Sequence, residues 1–275
     1  MTDVRKMLGI FCCIAACCVI SFSSIAHDAP LIAAQDKARN HLIDEVSPAV
    51  YTLRANFRFH KRDTPETLQE RGSLGTAFGV TENGLLLTVF HAVGAPVFQL
   101  DTQRFLPTYV PPFTWTYTDG QDAEATYTVT AKDGTQHIAE IVAIDPENDL
   151  AILSIAKTSP NKFPFIEFER ENLNHDSVVA IGSPFGFALS VTEGIISRNQ
   201  TGDGFVQTNV MVHPGNSGGP LLLLRNHKVA GVLTKNFNPL NSSIGIGIAF
   251  AVPASVAAKL LDDTLRELRR LRIVP

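Results

Sequence analysis

Cysteine is missing from almost the whole chain. Of 275 residues, 4 are cysteine, and Cys12, Cys13, Cys17 and Cys18 all fall near the N-terminus. Beyond them the sequence offers no disulfide, no thiolate metal site and no cysteine nucleophile, so stability must come from a packed core. Charge is also scarce. Asp, Glu, Lys and Arg make up 18% of the residues, and a net charge of −4 with a pI near 6.1 supplies no basic face for a nucleic acid. With 45% hydrophobic residues the composition is that of a folded globular protein. The length permits one large domain or two small ones.

Long apolar runs are absent with one exception, Met7 to Phe22, which follows Arg5 and Lys6 and ends at Ser24-Ile25-Ala26. A basic start, an apolar middle and a small-x-small ending read as a secretory signal over residues 1–26, with export to a periplasmic or extracellular space. All the cysteines would leave with it. Two other readings stay open: retention as a membrane anchor, and lipidation at Ile14-Ala15-Ala16-Cys17.

The most site-like stretch runs from Met211 to Pro220, Met-Val-His-Pro-Gly-Asn-Ser-Gly-Gly-Pro. Gly215, Gly218 and Gly219 surround Ser217, leaving the backbone free to turn its N–H groups toward a ligand beside the hydroxyl. An acyl-transfer serine needs such donors, and also a base, because its own pKa makes it a poor nucleophile. Gly215-x-Ser217-x-Gly219 alone matches a simple Gly-rich turn or a nucleophile elbow. The elbow requires a helix after the serine, whereas Ser217 precedes Pro220 and the strand-like Leu221 to Leu224. The base and acid must then lie upstream, in the order His, Asp, Ser. His91 ends an apolar strand, Leu85 to Phe90, and Asp149 opens another, Leu150 to Leu153. Asp145, before Pro146, is the nearest rival acid and reads as a turn residue.

These blocks resemble the chymotrypsin-fold serine proteases, and within them the HtrA/Deg group. Thr88, His91 and Val93 correspond to the group's Thr-x-x-His-x-Val, and Asp149 to Leu153 to its Asp-Leu-Ala-x-Leu. Ala180 to Gly186 matches Ala-Ile-Gly-x-Pro-Phe-Gly, Gly194 to Ser197 matches Gly-Ile-x-Ser, Pro214 to Pro220 matches Pro-Gly-Asn-Ser-Gly-Gly-Pro, and Gly245 to Pro253 closes the series. The resemblance implies an all-β, chymotrypsin-like double β-barrel with a short N-terminal helix and a C-terminal helix. It implies a serine endopeptidase that needs no cofactor and no metal. Ser217 is then the nucleophile, His91 the base and Asp149 its orienter, with an oxyanion hole from Gly215, Ser217 and Asn216. The polypeptide substrates would be unfolded or exposed chains, in keeping with protein quality control. In the group the segment before the first strand helps build a homotrimer. The group commonly continues into a PDZ domain, and this chain ends at Pro275, so substrate would be gathered by the protease domain or a partner.

Residues 27–46 carry a helical apolar period from Leu31 to Val46. The first barrel is expected over 47–157, the second over 164–253, and the closing helix over 254–275, with Val256, Leu260, Leu261, Leu265 and Leu268 on one face. His60 to Arg71 reads as a charged loop. The aromatic insertion 98–121 holds the single tryptophan, Trp115, and departs from the group's pattern. It reads either as a lid beside His91 or as a hairpin on the barrel rim. Counting back from Ser217 puts the specificity pocket near Met211 and Val212, with walls from Thr234, Lys235 and Asn236 and from Gly245 to Gly247. No aspartate stands at its floor, which points to aliphatic rather than basic side chains. His213 either contacts substrate or is a solvated loop residue. Two other functions remain open, a gated protease-like binding or chaperone module and an esterase with the same triad.

Overall fold

The computed structural model describes residues 33–271 except 62–63, 95–97, 101–114, 118–121, 156–161, 172, 174, 200–201, 203 and 237–246. The expected leader and two of the expected pocket-wall positions, Gly245 and Ile246, lie outside the described residues. Among the described residues no helix is long and apolar enough to cross a membrane. Contacts divide the chain into residues 1–43 and 44–275. Helix α1, residues 33–46, accounts for the described part of the first unit and reaches into the second. A 3-10 turn at Ser47–Ala49, with proline early in it, ends the helix.

The second unit contains two antiparallel barrels. Strand β1 (Val50–Lys61) buries Leu53, Ala55, Phe57 and Phe59 and exposes Arg54, Asn56, Arg58 and His60, the two-residue alternation of a sheet with one wet face. It pairs with β2 (Thr64–Gly79) from Val50↔Phe78 to Lys61↔Thr64, and with β6 (Asp122–Thr130) from Thr52↔Thr130 to Phe59↔Ala123. The segment His60 to Arg71, expected as a charged loop, is therefore mostly strand. Its described polar side chains His60, Thr67, Glu70 and Arg71 face water while its backbone pairs in the ladder, so side-chain polarity misjudged it. The remaining staves are β3 (Leu85–Thr88), β7 (Gln136–Asp145) and β8 (Leu150–Ser154), in the order β1-β2-β3-β8-β7-β6, closed by the β1–β6 pairing. The insertion begins and ends as a hairpin. Strands β4 (Phe98–Leu100) and β5 (Trp115–Tyr117) pair with each other, and β5 pairs with β6 at Ala123 and Asp122. Those strands extend the first sheet beyond β6, and residues 101–114 lie outside the described part.

The second barrel closes in the order β10-β11-β14-β13-β12-β9. Its strands are β9 (Ser177–Gly182), β10 (Ser190–Arg198), β11 (Val206–Thr208), β12 (Pro220–Leu223), β13 (Val229–Asn236) and β14 (Ala249–Pro253). Its core gathers Val178, Ala180, Ile196, Val206, Val210, Val212, Leu221, Leu223, Leu233 and Ala251. Between the barrels, residues 162–168 run back along the first, with Phe163 N–H on the Glu82 carbonyl and Ile166 N–H on the Gly79 carbonyl.

Helix α3 (Ala254–Arg270) then packs against β13, β14 and β7, so it touches both barrels. Its buried residues Ala257, Leu260, Leu261, Thr264 and Leu268 follow the three-and-four spacing of one helical face. Charged pairs Lys259–Asp263 and Arg270–Glu267 decorate its wet side. The expected face shares Leu260, Leu261 and Leu268 with the observed one, while Val256 and Leu265 are half-buried at its margin.

Candidate active site

His91 does not end strand β3. The strand stops at Thr88, Val89 stays extended, and His91 sits on the one-turn helix α2 (Phe90–Val93). A helix this short cannot hold itself, and Asp149 holds it from outside. The Asp149 backbone carbonyl accepts Phe90 N–H at 3.1 Å, its Oδ1 accepts His91 N–H at 2.9 Å, and its Oδ2 lies 2.7 Å from His91 Nδ1. Asp149 does this from a left-handed backbone, φ +55°, which aspartate tolerates better than most residues. It follows the turn Pro146–Asn148, where Asp145 takes the backbone N–H and the side-chain amide of Asn148 at 3.2 and 2.7 Å. Asp145 is thus bonded within its own turn, and the two carboxylates have separate positions.

Burial alone would raise the Asp149 carboxyl, but hydrogen bonds and charge from His91, with the Thr234 hydroxyl, bring it below the ordinary carboxylate range. The carboxylate is therefore ionised at neutral pH and faces Nδ1, which fixes the imidazole tautomer with its proton toward Asp149. The imidazole itself is half exposed, open to a reacting group.

Thr234 makes contacts that the sequence reading did not assign to it. Expected as a pocket wall, it is 6% exposed and donates its hydroxyl to Asp149 Oδ2. Its carbonyl, in turn, accepts the Ser217 hydroxyl at 3.3 Å. One residue of β13 thus touches both the acid and the nucleophile candidate, and a threonine at the end of an apolar run gave no sequence signal of that.

Ser217 lies in the loop before β12, gripped from the first barrel by Thr76 of β2. Thr76 N–H donates to the Ser217 carbonyl at 2.8 Å, and Thr76 Oγ1 donates to the Gly215 carbonyl at 2.7 Å and accepts Ser183 N–H at 3.0 Å. Thr76 is fully buried, and Thr88 Oγ1 holds its carbonyl at 2.7 Å. The loop's own turns use the Asn216 N–H on the His213 carbonyl at 3.0 Å and the Gly219 N–H on the Asn216 carbonyl at 2.9 Å.

Among the described residues the Gly215 and Ser217 N–H groups have no acceptor. The Asn216 N–H, offered by the sequence as a third donor, is committed to the His213 carbonyl, so it is not available to an oxyanion. The Asn216 side chain is buried as well, with Oδ1 lacking a partner among the described residues.

The proposed pocket residues separate. Val212 points into the core of the second barrel, whereas Met211 is more than half exposed, its carbonyl taking the Thr192 hydroxyl at 3.1 Å. Lys235 is exposed and lies over the Phe205 ring, 3.9 Å from the centroid, with Phe250 at 5.6 Å. Asn236 ends β13 opposite Ala249, and Gly247 takes a positive φ of +78°. His213 is half-buried with its ring tilted over Phe185, centroids 6.1 Å apart. Chemically, the assembly holds an ionised acid on an imidazole and a serine hydroxyl bonded to the residue that also holds the acid.

Residues 75–232 match the family of trypsin-like peptidase domains. Curated relatives include a probable periplasmic serine endoprotease, DegP-like, from Brucella suis, 32% identical over 223 residues, covering 78% of this chain and 37% of the relative. Another, with the same description, comes from Chlamydia trachomatis, 34% identical over 209 residues, with 72% and 35% covered. The chain thus spans little more than a third of the length of these relatives. Among solved structures, the HtrA-type protease AlgW with a decapeptide superposes with a TM-score of 0.61 at 28% identity, over 81% of this chain and 65% of that one. Two closed barrels with His91, Asp149 and Ser217 in these positions, together with this match, make the chain a member of the trypsin-like peptidase family, of HtrA/Deg type.

Proposed function

We propose that the protein is an exported serine endopeptidase that cleaves unfolded or exposed polypeptides through an acyl-enzyme. The single observation carrying this reading is the Asp149–His91 pair, joined through Thr234 to the Ser217 hydroxyl. In the reaction the Ser217 hydroxyl leaves the Thr234 carbonyl and donates to Nε2 of His91, the ring nitrogen opposite the one Asp149 holds. As Ser217 Oγ attacks the scissile carbonyl, its proton passes to Nε2, and Asp149 stabilises the imidazolium without taking the proton. The Gly215 and Ser217 N–H groups receive the oxyanion. When the tetrahedral adduct collapses, the peptide C–N bond breaks and His91 protonates the leaving amine. Water then enters, gives a proton to His91 and adds to the acyl carbon; on collapse the bond from that carbon to Ser217 Oγ breaks, His91 returns the proton to Oγ, and the carboxylic acid product leaves.

The periplasmic description of the curated relatives supports export. A homotrimer, and the aliphatic preference of the pocket, belong to the same reading. Casein degradation by residues 27–275 beside the Ser217→Ala variant tests it. Degradation by the first and none by the second supports the reading. Fluorophosphonate labelling of Ser217 without casein cleavage favours an esterase, and neither reaction by the unaltered chain favours a binding module.

A further inference from the structure

Strict alternation along β13 would put Lys235 on the same buried face as Leu233, two residues before it. It does not lie there. The ladder with β14 pairs Leu233 with Ala251 and Lys235 with Phe250, so Thr234 is an extra residue, a bulge. The bulge turns Thr234 inward to Asp149 and Ser217, and it moves Lys235 to the outer face, where it is exposed. In register, the row across β10, β11, β14 and β13 then reads Arg198, Gln207, Phe250 and Lys235, two cations and no acid.

The Lys235 ammonium has a seat. Its Nζ lies 3.9 Å from the centroid of the Phe205 ring and 5.6 Å from that of Phe250, both within the range over which a ring face attracts a cation. The two rings meet edge to face, 6.4 Å apart at 66°, and so form a corner. Seating restricts the rotamers of a long side chain. A carboxylate that meets this ammonium therefore loses less to ordering than one that meets a lysine without such a support.

Position decides what meets it. β12 pairs with β13 only as far as Pro220↔Val232. Beyond that the serine loop takes over, the Gly219 carbonyl accepting Leu233 N–H at 2.9 Å and Gly218 N–H donating to the Leu233 carbonyl at 2.8 Å. The next carbonyl, that of Thr234, holds the Ser217 hydroxyl, and the Cα of Lys235 follows about 3.8 Å further on. A polypeptide whose carbonyl reaches Ser217 Oγ has to pass this stretch of β13, and an extended one turns every second side chain to the same face. We propose that Lys235 is a specificity-determining residue: its ammonium, held by Phe205 and Phe250 beside the reacting centre, selects substrates that carry aspartate or glutamate within a few residues of the scissile bond. The proposal rests on the serine-peptidase reading and names a substrate class within it. An aliphatic preference at the bond itself concerns another side chain of the same substrate.

The test takes a casein peptide that the unaltered protein cuts and places Glu, Gln or Lys in turn at each position from the fourth before the cut bond to the second after it. kcat/KM is measured for the unaltered protein, for Lys235→Met and Lys235→Glu, and for Lys259→Met as a control for net charge, that side chain being 79% exposed on α3. At one position, or at alternate positions, Glu should exceed Gln about three- to fivefold and Lys should fall below Gln, the size of effect an exposed ion pair gives. The preference should shrink as salt rises from about 0.05 to 1 M. It should drop to near unity in Lys235→Met, turn in favour of Lys in Lys235→Glu, and persist in Lys259→Met. The inference is overturned if Glu and Gln are cut equally at every position, if the preference survives in Lys235→Met, or if Lys259→Met removes it equally. Failure of the unaltered protein to cut casein at all would instead remove the peptidase reading, which a flat series on a cut peptide leaves standing.

Discussion

The Thr234 hydroxyl donates to the same carboxylate oxygen of Asp149 that faces His91 Nδ1. That oxygen is shared between two donors while the other, Oδ1, holds the His91 backbone, so the carboxylate has no freedom to rotate. Thr234→Val keeps the shape and strand preference and removes one donor to an ionised group, a bond of about 1.5–3 kcal/mol. Turnover of a peptide substrate should fall roughly 10- to 100-fold with KM changed less than about twofold. Unchanged kcat would show that His91 and the backbone suffice to orient the acid.

Asp149→Asn tests the tautomer. Asparagine tolerates the left-handed backbone at this position, so the fold should survive and the thermal midpoint should stay close to that of the unaltered protein. Its amide would present a donor or acceptor to Nδ1 without the charge that stabilises an imidazolium. Casein hydrolysis at pH 7 should fall roughly 10³- to 10⁴-fold.

Glu169 supports the second barrel away from the site. It is 6% exposed, and burial alone would raise its carboxyl. Hydrogen bonds from Asn226 and the N–H groups of Glu171 and Arg170, with the Arg225 charge, outweigh burial and lower it from an ordinary 4.5 to about 2. A depressed acid contributes stability that is complete above its unfolded pKa and disappears as pH falls through the folded one. Glu169→Gln should therefore lower stability near neutral pH, by an amount on the order of 2–3 kcal/mol. The difference should shrink between about pH 4.5 and pH 2. Thermal unfolding of both proteins across that range would show it, and a constant difference would contradict it.

Gly218→Ala should abolish activity through the backbone. Gly218 has φ +87°, and a Cβ there would lie 2.2 Å from the Thr76 carbonyl and 2.3 Å from Thr88 Oγ1. Neither neighbour can yield without loosening the grip of Thr76 on the Ser217 loop. A stability loss above about 3 kcal/mol is expected from denaturant unfolding.

Much of this site was readable because its residues lie in contiguous blocks with distinctive composition. Ser217 among glycines, His91 after an apolar strand and Asp149 before one are local patterns, and so are the short alternating strands around them. What stayed hidden depends on distant backbone. Nothing in Val-Leu-Thr shows that Thr234 reaches Asp149, and nothing in Thr-Lys-Asn shows that Lys235 lies over Phe205. Val212 was assigned to the pocket by counting from Ser217, but side-chain direction in a loop does not follow from counting. At His60 to Arg71 the charged side chains concealed a ladder, although the alternation of Phe57 and Phe59 was already a strand signal.

Thr76 has a consequence for how the chain acquires its activity. His91 and Asp149 arise from the first half of the polypeptide, Ser217 and Thr234 from the second, and Thr76 fastens the halves together at the serine loop. On the serine-peptidase reading, a chain still emerging from synthesis, with only its first half folded, would carry the base without the nucleophile. Such a chain would leave its unfinished siblings intact, and hydrolysis should appear only after the last strand has docked.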